Sequence, residues 1–208
     1  MDTKPDLAPA AGARERLLDA AETLIYAGGI HATGVDAIVK RSGAARKSFY
    51  AHFESKEALV AAALERRDAR WMAWFVEATK KRGKTPRARL VGMFDVLREW
   101  FEQADFHGCA FLNAAGEIER ADDPIRVVVR EHKARLLAFV REQLDAHAAQ
   151  AAQAGADRRF VARLARQWLV LIDGAIGVAL VSGDASAARD ARAAAELLLD
   201  ATLPNRSS

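Results

Sequence analysis

The sequence predicts an all-α chain, and three observations carry that expectation. Apolar side chains recur every three or four residues along successive stretches, the period of a helix with one buried face. Alanine is abundant, β-branched runs are scarce, and no alternating strand pattern of useful length occurs. Pro5, Pro9, Pro86, Pro124 and Pro204 all fall outside the periodic stretches, where they separate helices.

The first predicted helix runs from about Arg14 to Ala27, with Leu17, Leu18, Ala21, Leu24 and Ile25 on one face and Gly28-Gly29 as its stop. A second, short helix is expected after Thr33, whose hydroxyl can cap it with Asp36 three residues on, and it ends at Ser42-Gly43. A third spans roughly Ala45 to Ala51. Ser55 reads as the N-cap of a long fourth helix reaching about Lys80, which the Gly83 to Pro86 stretch breaks.

Beyond that break come a helix carrying Leu90, Phe94, Leu97 and Phe101, a short one near Cys109 to Ile118, and a long one from Pro124, a proline suited to a first helical turn. Two last helices, near Asp157 to Val181 and Ala185 to Leu203, flank Ser182-Gly183-Asp184. Three short helices followed by six longer ones place a boundary near Phe53. The expected organisation is a flexible segment at 1–12, a small domain of short helices at 13–53 and a larger helical domain at 54–208, with the fourth helix as connecting beam.

Composition narrows the class. Of 208 residues, 51% are hydrophobic and 28% charged, far from the composition of a disordered chain. The net charge is only +3, yet Val39 to Lys56 holds five basic side chains (Lys40, Arg41, Arg46, Lys47, Lys56) against the single acid Glu54. Such a patch either attracts nucleic-acid phosphate or is a solvated face. Cys109 is the only cysteine, which excludes an intrachain disulfide. Met1 to Gly12 has no apolar core of signal-peptide length and no window holds 18 uninterrupted apolar residues, so a cytoplasmic protein without a membrane partner is expected. No glycine-rich phosphate loop, Cys-His metal cluster, nucleophile elbow or His-Glu helix motif occurs, so no enzyme, cofactor or metal is expected.

The two short helices around Ser42-Gly43-Ala44 form a helix-turn-helix pattern, the first supporting and the second entering a DNA major groove. Ala37, Ile38, Phe49 and Phe53 are its expected buried side. Arg46, Lys47, Ser48, Tyr50 and His52 remain, all able to donate to phosphates or base edges.

The run Ala32 to Ile38, then Ser42 to Phe53, then Ser55 to Leu59 closely resembles the N-terminal signature of TetR-family transcriptional regulators, over about Arg14 to Leu64. The resemblance implies an N-terminal three-helix helix-turn-helix domain plus a C-terminal six-helix ligand-binding and dimerisation domain. It implies that Thr33, Tyr50 and Lys56 hold DNA phosphates and that Arg46, Lys47 and Ser48 face the groove. It also implies a homodimer through the last two helices and release from operator DNA by a small, largely apolar effector. An activator, or a regulator answering to a protein partner or to oxidation of Cys109, is the alternative. Three positions depart from the family pattern: Gly34 replaces Ser or Thr, Ala45 replaces Ser, and Lys47 replaces a small residue.

The expected effector-binding residues are Trp71, Trp74, Phe94, Cys109, Phe111, Asn113, His132, Trp168 and Asp173, with Glu117 as a further polar candidate: an aromatic-rich set with a few polar groups at apolar positions. The aromatics alone fit a plain core equally well. His132, on the Ile125, Val128, Val129 and Leu136 face, is a core histidine, a pocket contact or a metal ligand, the last disfavoured by the lack of a second His or Cys at ligand spacing. Cys109, after Gly108 at a helix start, is a structural, pocket-wall or redox-sensing thiol.

Overall fold

The computed structural model describes residues 12–150 and 158–202, so the predicted N-terminal segment, Gly12 apart, lies outside the described residues. The order is α1 (Ala13–Gly28), α2 (Val35–Ser42), α3 (Arg46–His52), α4 (Lys56–Lys81), α5 (Pro86–Phe101), α6 (Ala110–Glu117), α7 (Pro124–Gln150), α8 (Arg158–Ser182) and α9 (Ala187–Thr202), with no strand among the described residues. Two compact units result. One comprises the described part of Met1–Arg67 with Ala114–Val128, the other Asp68–Asn113 with the described part of Val129–Ser208.

In the first unit, Leu17, Leu18 and Ala21 of α1 pack with Ile38 of α2, Phe49 of α3, Phe53, and Leu59 and Ala63 of α4. Gly43 ends α2 in the left-handed region at φ 61°, which a side chain rarely adopts, and so turns the chain tightly into α3. The expected Thr33 cap of α2 is not made. Gly34 occupies the N-cap without a side chain to offer, and Thr33 Oγ1 instead donates to the Gly29 carbonyl at 2.7 Å, stitching the α1–α2 turn. Ala37 is exposed rather than buried, because an eight-residue helix with Ile38 turned inward leaves its neighbour outside. Ser55 Oγ accepts from the Ala58 backbone at 3.1 Å, the predicted start of α4.

Arg66 closes this unit from α4. Its guanidinium donates to Glu15 (2.8 Å), Asp19 (2.6 Å) and Glu22 (2.5 Å), acids spaced along one face of α1. Desolvation lowers the Arg66 pKa, but the hydrogen bonds and charge of Glu22, Asp19 and Glu15 outweigh it and hold the group charged. Nearby, the Arg67 guanidinium lies 3.7 Å from the centre of the Tyr26 ring.

In the second unit, α5 starts where Thr85 Oγ1 accepts from the Ala88 backbone and Pro86 fills the first turn. Its Leu90, Met93, Phe94, Val96 and Leu97 are almost wholly buried. Helix α8 packs on α5 and α9, burying Leu164, Trp168, Ile172 and Ile176, and Arg192 of α9 grips both Asp95 oxygens at 2.8 Å. Over residues 159–182 α8 is long and apolar enough to cross a membrane, but its core face is spent on these neighbours.

Phe49 has no exposed surface and sits at the centre of the first core. Phe49→Ala is expected to cost about 3–5 kcal/mol, measured by urea unfolding. A loss below about 1 kcal/mol would show that the ring does not hold α3 in place.

Candidate DNA-reading face and helical sensor region

Because Phe49 points inward, the remaining residues of α3 point outward. Arg46, Lys47, Tyr50 and His52 are exposed, and Ser48 and Lys56 are half-buried. Arg46 hydrogen-bonds Tyr50, which together with the charge of Asp36 raises its pKa, and its guanidinium forms an ion pair with Asp36. The Tyr50 ring meets Phe49 edge-on at 5.0 Å, leaving its hydroxyl end outward. Thr33 stands apart from this group: it is buried, 5% exposed, with its hydroxyl used on Gly29.

A carboxylate far away in sequence completes the turn before α2. Glu117, the last residue of α6, accepts from the backbone N–H of Ile30 (2.9 Å) and of His31 (2.7 Å) and lies 3.1 Å from the His31 ring. Gly29, at φ 89°, is required here, since a Cβ would come within 3.0 Å of the Glu117 carboxylate. Burial pushes the Glu117 carboxyl up, but the His31 and Ile30 hydrogen bonds prevail and hold it below the usual carboxylate range. Arg126 Nη1 in turn donates to the carbonyls of Ala115 and Ile118, closing the free end of α6. Glu117 is therefore a structural clamp and not a pocket contact.

The expected effector residues divide into several groups. Trp71 stacks on Phe75 at 4.8 Å, meets Trp74, Trp100 and His132 at 6.0, 5.7 and 5.3 Å, and so joins one aromatic run with Phe111, which stacks on His132 at 3.6 Å. Phe94 and Trp168 form a second contact at 5.6 Å. Lys133 links Asp173 and Cys109: its Nζ donates to Asp173 at 2.6 Å and lies 3.7 Å from Cys109 Sγ. Asn113 is exposed, donating to the His107 carbonyl. Trp74 borders an open groove of about 350 Å³ with Glu77, Ala78, Lys81 and Arg82, whose cations are already paired, Lys81 with Glu77 and Arg82 with Glu99.

His132 is the buried polar centre. Its Nδ1 lies 2.6 Å from Asp68 Oδ1, and Arg135 holds the other Asp68 oxygen at 2.6 Å. Burial pushes the His132 pKa down to about 4 against the pull of Asp68, with Lys133 and Arg135 adding to the fall. At neutral pH the ring is neutral and donates through Nδ1 to a carboxylate that Arg135 already balances. That geometry makes it a core histidine. The apolar periodicity of its own helix located His132 but gave no sign of Asp68, 64 residues earlier.

On the outer faces of the last two helices Val170, Val181 and Leu197 are 70%, 89% and 73% exposed, and Val178 joins them. Gly174 lies between Val170 and Val178 with open space over its backbone. Leu164, Trp168 and Ile176 face the core, because they occupy the opposite side of the same helical repeat.

Two family models match. The model for bacterial regulatory proteins of the tetR family matches residues 17–63, and that for the tetracyclin repressor-like C-terminal domain matches residues 86–197. Among solved structures, the chain is similar to a tetR-type transcriptional regulator of Streptomyces avermitilis, 32% identical, covering 92% of this chain and 98% of that one with a TM-score of 0.79. It is similar also to a TetR-family regulator of Streptomyces coelicolor, 27% identical, covering 91% and 89%, with a TM-score of 0.79. An HTH-type transcriptional regulator encoded in the lacX 3′ region of Lactococcus lactis is 25% identical over 134 residues, 64% of this chain and 68% of that protein.

Two predictions follow from this geometry. Glu117→Ala should raise hydrogen-exchange rates at the Ile30 and His31 amides by more than about tenfold, the loss of a charge-assisted bond; unchanged exchange would show that the carboxylate does not hold the turn. Unfolded, His132 takes a proton near 6.5, folded only near 4. Folding is thus opposed by protonation, and stability present above pH 6.5 should fall by up to about 3 kcal/mol as pH drops towards 4. His132→Gln, which keeps a donor for Asp68, should flatten that slope in pH-dependent melts, and an unaltered slope would assign it to other groups.

Proposed function

Because the chain belongs to the TetR family of bacterial regulatory proteins and carries its DNA-binding helix-turn-helix, we propose that it is a homodimeric cytoplasmic repressor that leaves its operator when a small, largely apolar effector enters the helical unit. The observation that carries the reading is the outward face of α3. Phe49 fixes the helix from within, and Arg46, Lys47, Ser48, Tyr50 and His52 are left to meet DNA. Tyr50 and Lys56 supply phosphate contacts, and Arg46 and Lys47 reach base edges or phosphate, whereas buried Thr33 spends its hydroxyl on Gly29.

A seven-residue helix reads too few base pairs alone, so a two-fold pair is required, with heads about 34–36 Å or a multiple apart. The exposed Val170, Val178, Val181 and Leu197 support α8 and α9 as the dimer surface, since isolated exposed valines are ordinary but a stripe of them on adjoining helices marks a protein contact. The aromatic run and the Phe94–Trp168 pair support an apolar effector. Helix α4, which contributes residues to both compact units, is the element through which effector binding biases the head.

Titration against labelled DNA flanking the coding region, at two salt concentrations and beside a scrambled competitor, tests the reading. Saturable, salt-sensitive binding that scrambled DNA does not compete away is expected; equal binding to both would reduce α3 to a basic patch. Lys47→Ala should weaken operator binding and lower the log–log salt slope by about one. Affinity, slope and base preference all unchanged would remove Lys47 from the interface.

A further inference from the structure

The polar side chains first expected to orient an effector are spoken for: Asn113 by His107, Glu117 by the α1–α2 turn, His132 by Asp68 and Asp173 by Lys133. Several buried polar atoms are not, among them the indole nitrogens of Trp71 and Trp168, and two belong to side chains that do not stand out in the sequence. Thr79 of α4 and Gln143 of α7 are buried, 0% and 3% exposed, and Thr79 Oγ1 and Gln143 Oε1 have no hydrogen-bond partner among the described residues. The Gln143 amide nitrogen makes only a long 3.4 Å contact to Glu142. Such orphans are uncommon in a native interior and call for an occupant.

Helix register places the two together. Asp68 meets His132 and Phe75 meets Phe139, pairs that are both 64 residues apart, so α4 and α7 run in the same direction in fixed register. Thr79 and Gln143 have the same separation and fall at one level, a turn beyond the Phe75–Phe139 contact. No buried carboxylate or ammonium is described at this level: in the second unit the buried ionisable side chains among the described residues are Asp68, Cys109, His132 and, one turn beyond Gln143, His147, and Asp68 is already balanced by Arg135.

We infer that Thr79 and Gln143 are the polar anchor for the effector, which is a neutral molecule with an aromatic or aliphatic body and one hydroxyl or amide end. The end donates to Gln143 Oε1 and accepts from the Thr79 hydroxyl, and the body lies along Phe75 and Phe139. Both anchor side chains are buried, so entry parts α4 from α7. This inference rests on the effector-released reading given above.

The test uses the full chain and 2-naphthol, with naphthalene and 2-naphthoate as controls, read by quenching of tryptophan fluorescence. 2-Naphthol should bind saturably and at least about fivefold more tightly than naphthalene, and 2-naphthoate should bind more weakly than 2-naphthol. Thr79→Val and Gln143→Leu, checked by circular dichroism and operator binding, should each erase the preference for 2-naphthol. Binding of none of the three probes, equal binding of 2-naphthol and naphthalene, tighter binding of 2-naphthoate, or a preference that survives both substitutions would overturn the assignment. A preference that appears as expected while operator affinity stays unchanged would keep the anchor and refute its role in release.

Discussion

A helix of seven residues cannot hold itself together in water, and α3 is such a helix. Its N-cap, Ala45, and that of α2, Gly34, offer no side-chain bond. Everything that fixes the outward row of Arg46, Lys47 and Tyr50 must therefore come from packing behind it. Phe49 and Ile38, both without exposed surface, supply the apolar part. Arg66 supplies the ionic part by locking α4 to three acids of α1, one of which, Glu22, is itself mostly buried. Exposed ion pairs contribute little, but a partly desolvated fork holding several carboxylates in fixed geometry contributes more.

The second unit handles its polar groups by a different rule. Burying an ionised side chain is tolerable only where an opposite charge and hydrogen bonds meet it, and Asp68 satisfies this by taking the neutral His132 ring on one oxygen and Arg135 on the other. Replacing the imidazole's water by Phe111 and Trp71 faces is what makes the ring's charged form so unfavourable. The same logic explains why Asn113, His132 and Asp173, polar residues at apolar positions, each have an internal partner. A polar residue on an apolar helix face is a sign of unusual burial, and burial selects first for internal partners.

Local physics was legible in the residues and long-range physics was not. Periodicity and punctuation located the helices to within a few residues, since each end is set by a nearby glycine, proline or hydroxyl: Gly43, Pro86, Ser55. The inward Phe49 and outward Lys47 were readable from the same pattern. Thr33 misled, because a hydroxyl two residues before a helix can bond forward to that helix or back to the preceding turn, and only the position of the Gly29 carbonyl decides. Glu117 and Asp68 were invisible as partners, being 86 and 64 residues from the groups they hold. Nothing local to Glu-117's neighbours, Gly116 and Ile118, signals that its carboxylate will sit over Gly29.

Helix α4 is where these local and distant constraints meet. Arg66 is fastened to acids of the first unit, and Asp68, two residues later, to His132 and Arg135 of the second. These contacts fall within a single turn of one continuous helix, whose backbone hydrogen bonds resist stretching along its axis. In the proposed release, an effector at the distal turn around Thr79 acts on the reading helix through α4 without touching it. It needs only a difference in affinity between two placements of α4 worth about 1–3 kcal/mol, the usual size of a coupling between sites. That is comparable to the cost of leaving one or two buried polar groups unbonded, so the orphaned pair at Thr79 and Gln143 is of the right magnitude to supply it.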